Sequence, residues 1–228
     1  ADTLFSKKLP LLSLWQEVSE NFYPERADFT VKRYLGEDFA SNLMTSYPIL
    51  CRRDLSDQIG TMLRNTNKPW FHNVARDIGQ NEDYEAKRWL EWSTAVMRKA
   101  MYAPATLFTK ATSQADADFA TFGQAVLTVR LNRMADDLIY RTYHLRDVVW
   151  IEDEDGKICA IFRRWKPTCR TLCRMFGSGK PGTSVDAKIT RRMEKEPQAE
   201  VECYHFMVMA DMFDVEAKGM PWRSIYYD

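Results

Sequence analysis

The sequence predicts an α+β fold: amino-terminal helices packed on a mostly antiparallel β-meander, followed by short helices and a further strand pair. Three observations predict it. Apolar residues recur at helical spacing through much of the first 123 positions. From Gln124 to Trp165 the pattern turns to stretches rich in β-branched and aromatic residues, joined mostly by short links. Beyond Trp165, two short helical patterns lead to two more strand-like stretches. Helices first and strands afterwards mark this class rather than an alternating α/β fold. The division reads as a helical region over 1–123 and a β-rich region with short helices over 124–228, together one continuous domain.

Leu11, Trp15, Val18 and Phe22 stand four, three and four apart, which predicts an amphipathic helix over Leu11–Phe22. Pro24 ends it, because the residue before a proline is pushed out of the α region. A second helical stretch begins over Phe39–Leu43, meets Pro48, and resumes through Leu55, Ile59, Met62 and Leu63. The pattern suits one kinked helix or two separate ones. Pro69-Trp70-Phe71-His72 is an apolar patch without period in a polar loop. The clearest helix follows, with Asn81 as its cap, Glu82, Asp83 and Glu85 in the first turn, and Arg98 and Lys99 in the last. Ala86, Trp89, Leu90, Val96, Met97, Ala100 and Met101 form the stripe expected to be buried. Pro104 separates this helix from another that carries Phe108, Ala111, Ala115, Phe119 and Phe122 and stops at Gly123.

The expected centre of the fold comes next. Gln124–Leu131, Leu138–His144, Asp147–Glu152 and Lys157–Trp165 read as four strands side by side, with Asp155-Gly156 supplying the positive φ angles of a type I′ turn. A lone meander is marginally stable, so the preceding helices are expected to cover it. Pro167-Thr168 opens a short helix, with Thr168 as cap, Leu172, Met175 and Phe176 buried, and Gly177 at a left-handed terminus. Ser178–Thr183 is a loop by composition. Val185, Ile189 and Met193 mark another helix that exposes Lys188, Arg191, Arg192 and Lys195. Glu200–Ala210 alternates yet is apolar on both sides, the pattern of a strand covered on both faces or lying at a subunit contact. Trp222–Tyr227 is its expected partner.

At 228 residues and 45% hydrophobic, the chain is long enough to bury a real core. Lys plus Arg equals Asp plus Glu at 32 each, which argues against gripping nucleic acid over the whole surface and leaves room for a local basic patch. Seven Trp and 13% aromatic residues favour cores and interfaces. Cys51, Cys159, Cys169, Cys173 and Cys203 are odd in number and scattered, which suits a reduced, intracellular setting better than a disulfide framework. No apolar run approaches the roughly 20 residues that span a bilayer. The amino terminus lacks the long apolar core and cleavage site of a secretory signal. The first residue is not Met and Ser224–Asp228 reads as strand, so a processed or partial chain is expected.

Motifs for catalysis are missing. Gly177-Ser178-Gly179-Lys180 fails as a phosphate loop, because Pro181 follows the lysine and Arg174 stands where the first glycine belongs. Cys169 and Cys173 are one helical turn apart, but no second pair at ligand spacing joins them, and His72, His144 and His205 are far apart. They read as small buried side chains. No serine sits in a nucleophile elbow. Asp116 with Asp118, Asp136 with Asp137, and Glu152–Asp155 read as solvated carboxylates; Asp116 and Asp118 are two apart and do not share a helix face. Arg52-Arg53, Arg163-Arg164 and Arg191-Arg192 are candidates to touch a phosphate backbone, but with acids close by they read as surface or subunit salt bridges. His144 and Asp147 are near enough in sequence to meet, in a structural hydrogen bond or in a hydrolytic site on the sheet. No catalytic, cofactor-binding or metal-binding residue is assigned.

Several long stretches resemble the head-to-tail connector, or portal, protein of short-tailed phages of the podovirus type. They are Leu14–Thr30 (LWQEVSENFYPERADFT), Leu35–Arg53 (LGEDFASNLMTSYPILCRR), Asp54–Leu63, Lys68-Pro69-Trp70-Phe71, Arg88–Pro104 (RWLEWSTAVMRKAMYAP), Asp118–Val129 (DFATFGQAVLTV), Tyr143–Trp150 (YHLRDVVW) and Arg164–Phe176 (RWKPTCRTLCRMF). The resemblance covers most of Leu14–Phe176. It implies a structural virion protein assembled in the host cytoplasm, a homo-oligomeric ring, usually of twelve subunits, at one capsid vertex. Double-stranded DNA would pass through the ring during packaging and ejection. Its implied partners are the major capsid protein, scaffolding protein, terminase and tail adaptor proteins, with no cofactor, no membrane and no catalysis of its own, the ATPase belonging to the terminase. Portals of this type are much longer, so the sequence corresponds to the amino-terminal part of the wing, and no DNA-contacting residue is assigned. A tail adaptor or scaffold-binding module, and a phage-encoded hydrolase, are the alternatives.

Overall fold

The computed structural model describes residues 2–34, 36–38, 43–132, 134–177, 184–213, 215 and 219–227. Apart from Leu43, the helical start expected over Phe39–Leu43 lies outside those residues, as does the loop Ser178–Thr183. The described helices are α1 (Asp2–Lys7), α2 (Leu9–Phe22), α3 (Tyr47–Leu63), α4 (Ile78–Glu82), α5 (Tyr84–Met101), α6 (Phe108–Phe122), α7 (Cys169–Phe176) and α8 (Ala187–Lys195). The strands are β1 (Val126–Leu131), β2 (Leu138–Tyr143), β3 (Val148–Glu152), β4 (Ile158–Trp165), β5 (Cys203–Met209) and β6 (Trp222–Tyr227). Helices and antiparallel strands together make the fold α+β. They group into two compact units, Leu9–His144 and a second that joins Ala1–Lys8 to Leu145–Asp228.

In the helical unit, α2 buries Leu12, Trp15, Gln16 and Ser19, a stripe at i, i+3, i+4 and i+7. The Gln16 amide folds the next segment back along the helix. Its Oε1 accepts from the backbone N–H groups of Phe29 (2.8 Å) and Thr30 (3.1 Å), and its Nε2 donates to the Ala27 carbonyl (3.1 Å). Phe29 is thereby placed 5.6 Å from the Trp15 ring and 5.0 Å from that of Phe122. Pro48 falls in the first turn of α3, where its missing N–H has no helical partner to lose, so it starts this helix rather than kinking one that runs through it. Helix α3 packs on α6 through small residues. A Cβ at Gly60 would stand 3.0 Å from the Asp116 carboxylate.

Helix α6 ends at Gly123, whose φ of 70° is the left-handed value glycine adopts without strain. Phe108 and Ala111 of α6 bury against Tyr140 of β2, and the Thr142 hydroxyl donates to the Ala111 carbonyl (2.5 Å). Strand β1 pairs with β2 from Val126↔Tyr143 to Leu131↔Leu138. This hairpin is a sheet of its own.

The four strands expected side by side are therefore divided: β1 and β2 form one sheet, and β3-β4-β5-β6 form another in that order. The link after β2 is not a hairpin turn but a 3-10 turn, Leu145–Asp147, whose Leu145 is fully buried. The second sheet is completed by β5 and β6, and its internal strand β5 is buried or half-buried along its whole length, which accounts for its two apolar sides. The β3–β4 turn also differs from expectation. Gly156 alone has positive φ (75°), and the Gly156 N–H donates to the Asp153 carbonyl (3.0 Å). This is a type I turn followed by a left-handed glycine, and a bulge falls between Ile151 and Glu152. The Asp153 carboxylate supplies the missing acceptor for the N–H groups of Asp155 and Lys157.

Helices α7 and α8 close over a core of Cys169, Leu172, Ile189 and Cys203, with Trp165, Val185 and Met193 packed around it. Thr168 caps α7 as expected, accepting from the Thr171 N–H (3.3 Å). Two details are corrected. Met175 is exposed, because it follows Arg174 onto the outer side of a two-turn helix. Gly177 has φ −77° and is not left-handed; a Cβ there would run into the Cys173 carbonyl. At the other side of the sheet, the Lys8 ammonium donates to the carbonyls of Leu145 (2.8 Å) and Val148 (2.7 Å), covering the start of edge strand β3.

Candidate assembly surface

Helix α5 begins where Asp83 turns extended (φ −66°, ψ 132°) and its carboxylate accepts from the Ala86 N–H (2.9 Å). Asp83, not Asn81, is the cap. Asn81 sits in α4, and its amide clasps Ala75, accepting from the N–H (2.7 Å) and donating to the carbonyl (3.0 Å). The chain just before α4 holds one side of α5. The Asn73 N–H donates to Thr94 Oγ1 (3.0 Å), the Asn73 amide donates to Ser93 Oγ (2.9 Å), and Arg98 donates to the Thr66 carbonyl. Trp70 Nε1 donates to the Tyr102 hydroxyl (3.1 Å) at the far end.

These polar anchors fix which face turns inward, and it is Leu90 and Thr94. The stripe expected to be buried is thus mostly bare: Trp89, Val96, Met97 and Ala100 are exposed, and only Leu90 of that stripe is fully buried. Trp89, Trp92 and Val96, at i, i+3 and i+7, make one outward apolar ridge, with both tryptophans 61% exposed. A second apolar strip lies on the hairpin. Leu127, Val129, Leu131 and Leu138 are exposed, although Tyr140 and Thr142 on the same face are buried under α6. Strand β1 has no strand on its outer side among the described residues. An apolar ridge and an open strand edge are features that soluble proteins usually cover.

The charges of this unit lie inward instead. Asp118, fully buried, takes a two-pronged hydrogen bond from Arg26 (Nε to Oδ1 3.1 Å, Nη2 to Oδ2 2.7 Å). Burial pushes the Asp118 carboxyl above its ordinary pKa, and the Arg26 guanidinium works against that shift. Asp116 pairs with Arg64. The expectation of solvated carboxylates here is overturned, since each reaches an arginine distant in sequence; that the two point to different partners agrees with their not sharing a face. His144 Nε2 lies 2.6 Å from Asp28, while Asp147 pairs with Arg146 (3.0 Å). Neither is aimed at a nucleophile.

The other singled-out residues are structural in setting. Cys169 is fully buried and Cys173 half-buried in the α7–α8 core. The pairing expected of the arginine doublets is partial. Arg52 lies 4.2 Å over the Tyr23 ring, Arg163 is buried 5.0 Å from Trp165, and Arg192 faces Glu196 at 3.7 Å. His205 shares a hydrogen bond with Ser224 (2.8 Å) and stacks on Tyr226 at 4.0 Å; burial, aided by Arg163, pushes its pKa down to about 4. Burial likewise draws the Lys8 ammonium down to about 8, against the pull of Asp147. A cavity of about 440 Å³ beside Trp165 and Tyr226 is lined by aromatic and aliphatic side chains together with Ser184, Arg223 and Ser224, and one of about 550 Å³ between α3 and α6 is lined by hydroxyls, amides and the Arg64–Asp116 pair. Sequence reasoning missed Gln16 and Lys8; no motif marks a side chain whose partners are backbone groups. No described helix is long and apolar enough to cross a membrane.

Comparison with known proteins gives this surface its context. The sequence model of a family described as "Bacteriophage head to tail connecting protein" matches residues 1–228. The chain belongs to that family. This connector chain is also 21% identical over 219 residues to the "Probable portal protein" of Bordetella phage BPP-1, a match that covers 95% of the chain and 39% of that protein. The chain thus spans well under half the length of this relative. The family is one of structural components of the phage particle rather than of enzymes, and the sequence resemblance to portal proteins agrees with it.

Proposed function

We propose that this connector chain acts as the amino-terminal wing part of a portal subunit, which joins copies of itself into a ring at one capsid vertex. The ring is the conduit for DNA in packaging and ejection and the docking site for terminase and tail proteins, and it is put together in the host cytoplasm. The observation that carries the reading is the bare ridge of Trp89, Trp92 and Val96 on a helix that is anchored on its other side. With 61% of each exposed, the two tryptophans offer roughly 200–300 Å² to a partner. A stable interface needs roughly 800 Å² from each side, of which the ridge supplies a part. The family match and the portal relative support this role over an adaptor or a hydrolase. Native mass spectrometry and negative-stain electron microscopy of the protein test it. Closed rings of a single stoichiometry are expected, and a protein that stays monomeric at high concentration with no rings on the grid overturns it.

A further inference from the structure

Charge in this chain is balanced in total and uneven in place. Between Arg163 and Lys195 there are ten Lys or Arg against two Asp or Glu, whereas the whole chain balances at 32 each. The remainder is correspondingly acidic. Within the sheet unit the two ends of the strands differ in net sign, although Glu194, Glu196, Glu200 and Glu202 also stand exposed at the basic end. Arg170 and Arg174 on α7, and Lys188, Arg191, Arg192 and Lys195 on α8, are exposed on helices whose inner sides make the Cys169–Ile189 core. That core packs at the Trp165 end of β4, where β5 begins. Strand β4 starts at the other end with Ile158, directly after the turn where Glu152, Glu154 and Asp155 are exposed.

The eight residues of β4 hold these ends about 23 Å apart at roughly 3.3 Å per residue. Screening in physiological salt has a length of about 8 Å, so the two ends do not neutralise one another within one copy. Among the described residues the ion pairs at these ends are few and exposed: Asp155 with Lys157 at 2.9 Å, Arg192 with Glu196 at 3.7 Å and Arg164 with Glu202 at 3.9 Å. Exposed pairs of this kind contribute little and leave most of each charged end available.

We propose that the acidic β3–β4 turn of one copy docks on the basic outer side of the α7–α8 pair of the next copy. The inference rests on the ring reading above and adds to it a direction around the ring. Complementary surfaces at two different places on one unit make a head-to-tail contact, the kind that repeats into a closed ring when the rotation allows. Such a contact speeds encounter and fixes register, while the apolar ridge of α5 supplies buried area. A second copy fits better than nucleic acid, because the counter-charge is carried by the same chain and the total is zero. A phosphate-binding face needs no acidic counterpart.

Two charge-reversed proteins test the proposal. One carries Lys188→Glu, Arg191→Glu and Arg192→Glu; the other carries Glu152→Lys, Glu154→Lys and Asp155→Lys, with Asp153 kept because it ties the turn. All six side chains are exposed, and circular dichroism checks that both proteins fold. Sedimentation velocity at low salt is expected to show each variant self-associating about ten-fold or more weakly than the unaltered protein. An equimolar mixture is expected to assemble again, because each reversed surface meets its opposite on the other variant. If both variants assemble as the unaltered protein does, the ring stands and this direction falls. If the helix-reversed variant assembles normally but loses retention on double-stranded DNA, the basic side is a nucleic-acid contact and the proposal is overturned. An unaltered protein that never assembles overturns this inference and the ring together.

Discussion

The two compact units dispose of charge differently, and each leaves some aromatic surface bare. Between Leu9 and His144, Arg26–Asp118 and Arg64–Asp116 are drawn inward while Trp89 and Trp92 stand outside. In the sheet unit Phe162 packs on Phe206 at 5.4 Å and His205 on Tyr226 at 4.0 Å, Trp222 and Tyr227 stay exposed, and lysines and arginines crowd the outside of α7 and α8. The treatment of strand edges differs in the same sense. Lys8 covers the start of β3, whereas β1 has no neighbour on its outer side among the described residues. The sheet unit closes much of its surface with its own chain. The helical unit uses hydrogen bonds to hold apolar surface outward, the arrangement that the proposed ring would cover.

The sharpest break to that comparison is the buried pair. Asp118→Ala leaves the Arg26 guanidinium facing a dry site with no anion, and removal of one partner from a buried pair costs about 3–5 kcal/mol. Asp116→Ala, at a pair with more access to solvent on the carboxylate side, is expected to cost about 1–2 kcal/mol. Urea unfolding of both variants measures the difference. Equal costs would mean that the interior charges of the helical unit are not buried in the energetic sense.

A smaller effect sets the sheet unit apart by pH. His205 has a folded pKa of about 4 against an ordinary value of 6.5, because burial and Arg163 disfavour its charged form. The unfolded chain then binds the proton more readily. Stability from the neutral ring is full above pH 6.5, declines as pH falls, and is gone below about 4. At about 1.4 kcal/mol per pH unit this interval corresponds to about 3.5 kcal/mol, which solvent screening reduces to about 2–3 kcal/mol. Unfolding at several pH values, with the same series on His205→Gln, isolates this group. A variant with the same slope as the unaltered protein would place the acid sensitivity elsewhere.

How far the sequence could be read follows from the range of each cause. The existence of α5 was legible, since helical period and end charges are local; its orientation was not. Spacing shows that Trp89 and Leu90 are apolar, but the hydroxyls of Ser93 and Thr94, bound to Asn73, decide which of them turns inward. Asp116 and Asp118 looked solvated because their arginines lie 52 and 92 residues away. The division of the meander turns on Leu145, a residue whose local pattern suits a tight turn between strands equally well. Of the candidate surface, the aromatic excess was visible in the composition, while its placement required knowledge of what covers each face.

The smallest expected change in folding carries the most weight for the comparison. Trp89→Ser with Trp92→Ser removes two rings that are mainly in solvent, so monomer stability should move by no more than about 1 kcal/mol. Tryptophans at the centre of an interface, by contrast, cost about 2 kcal/mol or more each when truncated. The double variant is therefore expected to unfold with the unaltered protein in urea and yet to lose rings under the electron microscope. A large loss of stability would show that the ridge packs within its own unit after all. Intact rings at unaltered concentration would show that the helical unit turns its apolar side to solvent for some other purpose. The expected pair of results, folding kept and assembly lost, is one that burial within a single chain does not produce.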